Sequence, residues 1–390
     1  MRKLFIVLIG LVFWPIFKLF PLKHKLWIFG AQNGEAFADN SKFLFEYIIE
    51  EQPSIDAVWI TRSKDILKKL RENNLPVQHN LSILGLWYMV RAEVIVFSTS
   101  RSDMLFIHHK IGRKIVNLWH GMPIKKIAYD YGPHKPENKN LKAKVWDTFV
   151  ADFQHTDVDI IASTSPFYNK ILTSSFRNNN TFVTGQPRTD VFYKWNKKAI
   201  KDKLGFSEDK IIVTYMPTHR AYGTGKMNPK IFENNNKMHQ FFREQGVKLV
   251  WKYHKNMLIN YDPNLETADQ IVDLTRNNVD PQELLFITDI LITDYSSCYI
   301  DFLLFNSPIV FYHYDDYEES DNALYFSIKE NNPGPIVNTE MELGQVIQRL
   351  ILGGDGFVEI RKKYLNQYHT YQDGNSSERV FELINSEIDR

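Results

Sequence analysis

The sequence has 390 residues, a length that favours two domains of ordinary size over a single core. Its formal net charge of +1 excludes the bulk positive excess by which proteins attract nucleic acid. Hydrophobic residues make up 44% and charged residues 24%, as in folded globular proteins. Cys298 is the only cysteine, so no disulfide can form within the chain, which fits a reducing, cytoplasmic location.

Residues 1–22 are predicted to form a membrane-surface anchor. A basic start precedes an apolar run over residues 4–17, which is too short for a membrane span of about 20 residues. A signal peptide is one alternative, but no small-x-small cleavage site follows. A helix lying in the headgroup layer, with Trp14 at its boundary, agrees better with the pattern. A buried N-terminal helix is the other alternative.

In the first half of the chain, short apolar segments alternate with amphipathic ones. The apolar segments predict strands at 26–30, 57–61, 93–98, 114–119, 159–163 and 181–184. The amphipathic segments predict helices at 41–50, 64–71 and 84–91. Strands that are apolar throughout and separated by helices are typical of a parallel sheet covered on both faces.

The lysine-rich segment 196–203 interrupts this alternation, which then starts again. Strands are predicted at 210–216, 248–253, 290–293 and 308–312, and helices near 230–244, 280–286, 297–305, 341–351, 357–368 and 377–388. The sequence therefore predicts an α/β protein of two doubly wound, Rossmann-like domains, 23–200 and 201–390, facing a central cleft. Ligands of such sheets bind at the carboxyl ends of strands.

The first candidate residue follows the predicted strand 114–119. In Trp119-His120-Gly121-Met122-Pro123, glycine and proline force the chain into a sharp exit and leave His120 at the end of the strand. An imidazole there could act as a general base. A structural or merely exposed histidine is the alternative.

Two further candidates follow strands of the second half. Lys252 and His254 lie on the same side of a strand end by alternation, where both could meet one phosphate. Ser296 and Ser297 stand between a strand and a helix start, which brings unpaired N–H groups and the helix dipole to two hydroxyls. That arrangement predicts a phosphate site, although serines are also ordinary helix caps.

Other turns offer weaker candidates. Arg188 follows the strand 181–184 as an anion clamp, and Thr218 and Arg220 follow the strand 210–216 as ligand contacts. The segment 223–226 lacks the spacing and the hydroxyl residue of a P-loop, and no G-x-G-x-x-G follows a strand. The sequence also has no Cys and His spacing typical of a metal site.

Taken in order, these segments resemble the CDP-glycerol glycerophosphotransferase family of teichoic acid synthesis. The resemblance runs from about residue 26 to 388. It is carried by Trp119-His120-Gly121-x-Pro123, Gly185-x-Pro187-Arg188-x-Asp190, Pro217-Thr218-x-Arg220, Lys252-x-His254, Asp294-Tyr295-Ser296-Ser297-x3-Asp301 and Pro333-Gly334-Pro335. Lys255 is a departure, since proline often follows the second histidine in relatives.

The resemblance implies a GT-B-type fold and transfer of glycerol phosphate from CDP-glycerol, with release of CMP, onto a membrane-embedded, undecaprenyl-diphosphate-linked disaccharide. Residues 23–200 would form the acceptor side and residues 201–390 the donor side. Because only an anchor precedes the core, the chain is most similar to the primases of the family, while polymerases of glycerol or ribitol phosphate stay open. The implied substrate-binding residues are Trp119, Gly121, Met122, Pro123, Arg188, Pro217, Thr218, Arg220, Lys252, Ser296, Ser297 and Asp301.

His120 and His254 are the predicted catalytic pair. His120 would take the proton of the attacking hydroxyl and His254, if protonated, would stabilise the diphosphate, although these roles could be reversed. No tightly bound cofactor is expected, and a loosely held Mg²⁺ and a homo-oligomer stay open. The expected location is peripheral, at the cytoplasmic face of the cell membrane. A GT-B glycosyltransferase using a nucleotide sugar and a non-enzymatic membrane scaffold are the rival hypotheses.

Overall fold

The computed structural model describes residues 20–104, 112–130, 157–218, 229–253, 269–277, 279–315 and 324–390. These residues belong to two compact units. The first unit comprises the described residues of 1–122, 127–193 and 369–390, and the second those of 123–126 and 194–368. The chain passes from the first unit to the second between Tyr193 and Lys194, whereas the sequence predicts this boundary at residue 200. Residues 369–390 at the end of the chain belong to the first unit.

The described part of the first unit contains a seven-stranded parallel sheet in the order β3-β2-β1-β4-β5-β6-β7. Its strands are β1 Lys23–Gly30, β2 Asp56–Thr61, β3 Val77–His79, β4 Ala92–Phe97, β5 Lys114–Asn117, β6 Ile160–Ser163 and β7 Thr181–Val183. Its helices are α1 Asp39–Glu51, α2 Lys64–Glu72, α3 Ile83–Arg91, α4 Pro166–Phe176, the single turn α5 Pro187–Asp190, and α12 Ser376–Ile388.

The core of the first unit explains why the end of the chain returns to it. Trp27 and Trp59, on neighbouring strands, are fully buried. Val380 and Ile384 of α12 are fully buried in the same cluster. Removing such side chains from water stabilises each by about 1.5–3 kcal/mol, so α12 belongs to this core although a whole unit separates the two in sequence.

The described part of the second unit contains a six-stranded parallel sheet in the order β10-β9-β8-β11-β12-β13. Its strands are β8 Ile211–Tyr215, β9 Val247–Trp251, β10 Ile271–Asp273, β11 Ile290–Thr293, β12 Ile309–Tyr312 and β13 Ile336–Val337. Its helices are α6 Lys197–Lys203, α7 Asn236–Glu244, α8 Pro281–Ile287, α9 Cys298–Phe302, α10 Glu340–Ile351 and α11 Val358–Tyr368.

The predicted class, α/β with parallel sheets, is confirmed. Some elements differ from the prediction. Segment 230–244 is helical only from Asn236, because the Asn235 side chain accepts the N–H of Met238 and caps the helix there. Segment 196–203, which breaks the predicted pattern, is helix α6 with Asn196 as its cap.

Residues 1–19, which include most of the predicted anchor, lie outside the described residues. Within the described ranges, every helix is too short or too polar to cross a bilayer.

Candidate active site

Several of the predicted site segments follow strands at or beside the switch points of the two sheets. In the first unit the strand order reverses between β1 and β4, and β5 with the His120 turn lies next to β4. In the second unit it reverses between β8 and β11, whose ends carry Pro217 and Ser296. Ligands of doubly wound sheets bind at these points, so each unit presents its candidates where the fold favours binding.

The turn that carries His120 is held in a strained conformation. Trp119 has a φ of 54°, in the left-handed region that a bulky residue seldom adopts. The Asn117 side chain accepts the N–H of Trp119 at 2.9 Å. The Asn40 amide donates to the carbonyls of Leu118 at 3.2 Å and Trp119 at 2.9 Å. These bonds hold the turn, and Gly121 at φ 141° completes it.

The hydrogen bond of the His120 ring fixes its tautomer. Nδ1 lies 3.2 Å from the carbonyl oxygen of Ser98. A carbonyl oxygen only accepts, so Nδ1 carries the proton and the neutral ring has its lone pair on Nε2. The ring also contacts Trp119, with centroids 4.2 Å apart. This is the tautomer that a general base working through Nε2 requires.

The surroundings of His120 favour its neutral form. Desolvation by the protein lowers its pKa below the usual 6.5, and Arg188 lowers it further. The negative charge of Asp39 and the bond to Ser98 raise the pKa and oppose this shift. Solvent still reaches the residue, so the desolvation is partial. The lowered pKa favours the neutral ring, which is the form that can take a proton.

Arg188 contacts the His120 turn directly. Its backbone N–H donates to Asn40 Oδ1 at 3.1 Å, and Nη1 donates to the His120 carbonyl at 2.6 Å. The residue is buried. The structure thus gives Arg188 a supporting contact in the turn, and its role as an anion clamp stays a prediction.

Asp103 organises the loop that holds His120, and the sequence motifs do not reveal it. Its buried carboxylate accepts the N–H groups of Asn33 at 2.7 Å, Ser98 at 3.2 Å and Thr99 at 2.8 Å. Ser98 in turn offers its carbonyl to His120. The only available signal was a short polar segment, 98–103, after a strand.

Asp103 should make stability depend on pH. Burial raises its pKa to about 6, against its three hydrogen bonds. The folded state thus holds this proton more tightly than the unfolded state, so the stabilisation is complete below about pH 4 and lost as pH rises through 6. In urea unfolding from pH 4 to 7, the stability of wild type relative to Asp103→Asn should fall by roughly 2–3 kcal/mol. A relative stability that rises with pH would contradict this assignment.

In the second unit, Asp294 joins two of the predicted segments. Its buried Oδ1 accepts the N–H groups of Thr218 at 2.7 Å and Tyr295 at 2.6 Å. Thr293 Oγ1 donates to the Met216 carbonyl at 2.8 Å. These bonds bring the turn after β8, with Pro217 and Thr218, together with the turn after β11, with its two serines.

Ser296 and Ser297 are half-buried at the start of α9. In the described structure, Ser297 is the N-cap residue of α9 but makes no side-chain capping bond, so capping does not account for this serine. The neighbouring Cys298 is no nucleophile at neutral pH, because burial raises the pKa of its thiol to about 11. The turn therefore offers hydroxyl and backbone donors without a competing reactive group.

Lys252 and Asp301 contact the protein interior. Lys252 Nζ donates to the carbonyls of Leu274 and Asn277, both at 2.9 Å. Desolvation lowers its pKa, while Asp273 and Asp280 raise it. Asp301 is buried and accepts the Gln282 amide at 3.0 Å.

Two predicted residues of the second unit, His254 and Arg220, lie outside the described residues. Across the parts of the chain that the structure describes, no three His, Cys, Asp or Glu residues are grouped to hold a metal ion.

Gly334, in the Pro333-Gly334-Pro335 segment, has a packing role. A Cβ there would lie 1.9 Å from the carbonyl oxygen of Ile309, while Pro335 accepts the N–H of Phe311 at 2.9 Å. Gly334→Ala should lower the free energy of unfolding by about 1–3 kcal/mol, measured by chemical denaturation. Gly356→Ala is the matched control, since a Cβ there meets no described atom within 4 Å. Equal stability of the two variants would show that the contact is not tight.

Comparison with known proteins identifies the family. The sequence profile of CDP-glycerol:poly(glycerophosphate) glycerophosphotransferase matches residues 12–386. A teichoic acid poly(glycerol phosphate) polymerase of Bacillus spizizenii is 29% identical over 401 residues, covering 98% of this chain and 97% of that protein. A teichoic acid glycerol-phosphate primase of Bacillus subtilis is 29% identical over 315 residues, covering 78% of this chain and 77% of that protein.

A solved structure shares the fold. The wall teichoic acid polymerase TagF matches with a TM-score of 0.78 at 22% identity, over 94% of this chain and 90% of that one. A variant of it soaked with CDPG matches with a TM-score of 0.79 at 21% identity, over the same shares of the two chains. At these identities the likeness shows the fold alone, which is α/β and GT-B-like.

The comparisons also test the argument from length. The Bacillus spizizenii polymerase matches this chain over nearly its whole length, whereas the chain covers 49% of a Bacillus subtilis polymerase that is 26% identical. Polymerases thus occur at both lengths, so chain length does not separate primases from polymerases. Because the profile spans nearly all of the sequence, the protein belongs to the CDP-glycerol:poly(glycerophosphate) glycerophosphotransferase family, whose members are enzymes of the transferase class.

Proposed function

We propose that this enzyme transfers glycerol phosphate from CDP-glycerol, releasing CMP, to an undecaprenyl-diphosphate-linked disaccharide. The family match over residues 12–386 carries the proposal, because it names the donor class. The tautomer of His120 supports it chemically, since transfer to a hydroxyl needs a base.

In the first unit, His120 acts as the base. The hydroxyl oxygen of the acceptor substrate forms a bond to the glycerol-bearing phosphorus, and the bond from that phosphorus to the bridging oxygen breaks. The hydroxyl proton passes to Nε2 of His120, and the electron pair leaves with CMP. Asn40, Arg188 and Ser98 position the ring through the contacts described above. Phosphoryl transfer depends mainly on such positioning and on neutralising charge.

In the second unit, the turn at Ser296 and Ser297 binds the donor phosphates. Its backbone N–H groups and hydroxyls suit an anion. Asp294 fixes the turn by accepting the N–H of Tyr295. His254 and Lys252 would stabilise the negative charge of the departing CMP. The further proposed substrate-binding residues are Trp119, Gly121 and Met122 of the first unit and Pro123, Pro217, Thr218, Arg220 and Asp301 of the second. A loosely held Mg²⁺ on the diphosphate is compatible with this scheme.

Polymerisation is the second candidate function. The specific observation in its favour is the Bacillus spizizenii polymerase, which matches this chain from end to end. A primase adds one glycerol phosphate and stops, whereas a polymerase extends its own product. Both activities use the same bond-forming step, so they differ in the number of units on each lipid.

A lipid-linked acceptor places the enzyme at the cytoplasmic face of the membrane as a peripheral protein. An undecaprenyl chain stays in the bilayer, so an enzyme held at the surface searches two dimensions for it. The basic and apolar residues 1–22 are the proposed anchor.

A donor panel tests the proposed function. CDP-glycerol, CDP-ribitol, a UDP-sugar and a GDP-sugar are each offered with the lipid-linked disaccharide, and the released nucleotide is measured. Release of CMP from CDP-glycerol at the highest rate supports the proposal. Release of UDP or GDP instead would assign the chain to the glycosyltransferases, and a preference for CDP-ribitol would change the donor.

A further inference from the structure

Helix α3 of the first unit presents apolar side chains to solvent. Ile83, Leu84 and Trp87 are 87%, 54% and 42% exposed. Spacings of three and four residues put these side chains on one helix face, while Gly85 and Met89 are buried behind it. Contiguous exposed apolar side chains of this kind are characteristic of interaction surfaces.

The helix is firmly held with this face outward. A Cβ on Gly85 would lie 2.1 Å from the His79 carbonyl oxygen, so the glycine lets the start of α3 pack tightly. The Ser82 side chain accepts the Gly85 N–H at 3.0 Å and caps the helix. The apolar face is therefore part of a fixed element of the fold.

The described chain begins against this face. The ring of Phe20 meets that of Trp87 edge to face at 5.5 Å, and Arg91 donates to the Pro21 carbonyl at 3.1 Å. Together these elements form an open, shallow apolar depression of about 430 Å³, lined by Phe20, Ile83, Leu84, Leu86, Trp87 and Val90. Phe20 and Pro21 belong to the predicted anchor 1–22, so an anchor lying in the headgroup layer would bring α3 to the same layer.

The charges around this face suit an anionic surface. The sequence has no Asp or Glu in residues 1–34 or 73–92. Arg91 ends α3 and its guanidinium lies 5.0 Å from the Trp87 ring centroid, while Glu93, just beyond the helix, is paired with His24 at 2.9 Å. Basic residues beside exposed Trp, Leu and Ile are typical of segments that bind bilayers of anionic lipid.

We propose that the exposed face of α3, with Phe20, docks on an anionic bilayer by inserting Ile83, Leu84 and Trp87 at the headgroup boundary. This rests on the proposed function, because a lipid-linked acceptor requires the enzyme at the membrane. It adds a folded element to an attachment otherwise ascribed to residues 1–22. The catalytic turn would then be carried by a unit fixed to the surface at a second place.

Co-sedimentation of the full chain with vesicles tests this surface. Phosphatidylcholine vesicles with and without phosphatidylglycerol are compared for wild type, Ile83→Asp and Leu84→Asp. Both substitutions fall in the first turn of α3, where a negative charge favours the helix, so folding should be kept. We expect binding to the anionic vesicles to weaken on the order of tenfold.

Met341→Asp provides the matched control. Met341 is 76% exposed in the first turn of α10, in the second unit, and its substitution should leave vesicle binding unchanged. Turnover on a soluble acceptor analogue should be kept in all variants, so its loss would count against folding or the proposed function instead. Vesicle binding by Ile83→Asp equal to that of Met341→Asp would overturn the proposal. So would a wild-type dimer that Ile83→Asp dissociates without a change in vesicle binding.

Discussion

Replacing His120 with alanine should reduce CMP release from CDP-glycerol by about 10²–10⁴-fold. The reason is the Nε2 lone pair, which the bond from Nδ1 to the Ser98 carbonyl leaves open to the acceptor hydroxyl. His120→Asn sharpens the test, because its amide keeps a donor for Ser98 but offers no base. If His120 contributes to catalysis by accepting a proton, and not by shaping the turn, both variants should lose turnover to the same extent. Steady-state release of CMP with a soluble acceptor analogue measures it.

The control for this prediction is His24→Ala, since His24 is an exposed histidine that pairs with Glu93 at 2.9 Å. Its turnover should equal that of wild type. Circular dichroism and the unfolding midpoint show whether each variant is folded. A folded His120→Asn enzyme with near wild-type turnover would show that His120 is not the base, and His254→Ala then tests the reversed assignment.

Asp190→Ala should destabilise the first unit by about 2–5 kcal/mol. Its buried carboxylate accepts the N–H groups of Ser376 at 2.9 Å and Ser377 at 2.7 Å, at the start of α12. Alanine would leave two buried donors without an acceptor, at about 1–3 kcal/mol each. It would also remove a negative charge from the positive end of the helix dipole. Urea unfolding measures the loss, and hydrogen exchange at Val380 should show that α12 opens first.

The matched control is Asp373→Ala. Asp373 also lies before α12, but its carboxylate is 44% exposed and pairs with Arg379 at 2.8 Å. The hydrogen bond from Arg379 lowers the pKa of Asp373. Exposed pairs of this kind contribute about 1 kcal/mol or less. If the two substitutions lower the free energy of unfolding equally, the hydrogen bonds that Asp190 accepts do not hold α12 in place.

The fold class could be predicted because its pattern is local. Apolar segments such as 57–61 and 290–293 mark central strands buried on both faces, and both are strands in the structure. Three of the four edge strands, β3, β10 and β13, were not predicted, because two or three residues are too few for a period to appear. The fourth, β7, is equally short and lies in the predicted segment 181–184. Membership of α12 in the first unit depends on contacts with residues far away in sequence, which periodicity does not show.

In the candidate site too, the residues marked by a local sequence pattern could be predicted, and those whose roles depend on distant contacts could not. His120 could be found because a histidine after an apolar strand and before glycine is visible in the sequence. Asn40, Ser98 and Asp103 could not, because their roles depend on the sheet order that brings the ends of β1, β4 and β5 together. In the second unit, the two serines stand between β11 and α9, whereas the ammonium of Lys252 donates to two backbone carbonyls. The binding roles of these residues stay predictions.

The mass of the lipid product tests the central claim most directly. The full-length enzyme is incubated with CDP-glycerol and the undecaprenyl-diphosphate-linked disaccharide, and the lipid is analysed by mass spectrometry while CMP is counted. We predict a lipid heavier by glycerol phosphate units, with one CMP released for each unit. A single unit indicates a primase and a ladder of units a polymerase. An unchanged lipid, with folded enzyme and intact CDP-glycerol, would contradict the proposed transfer.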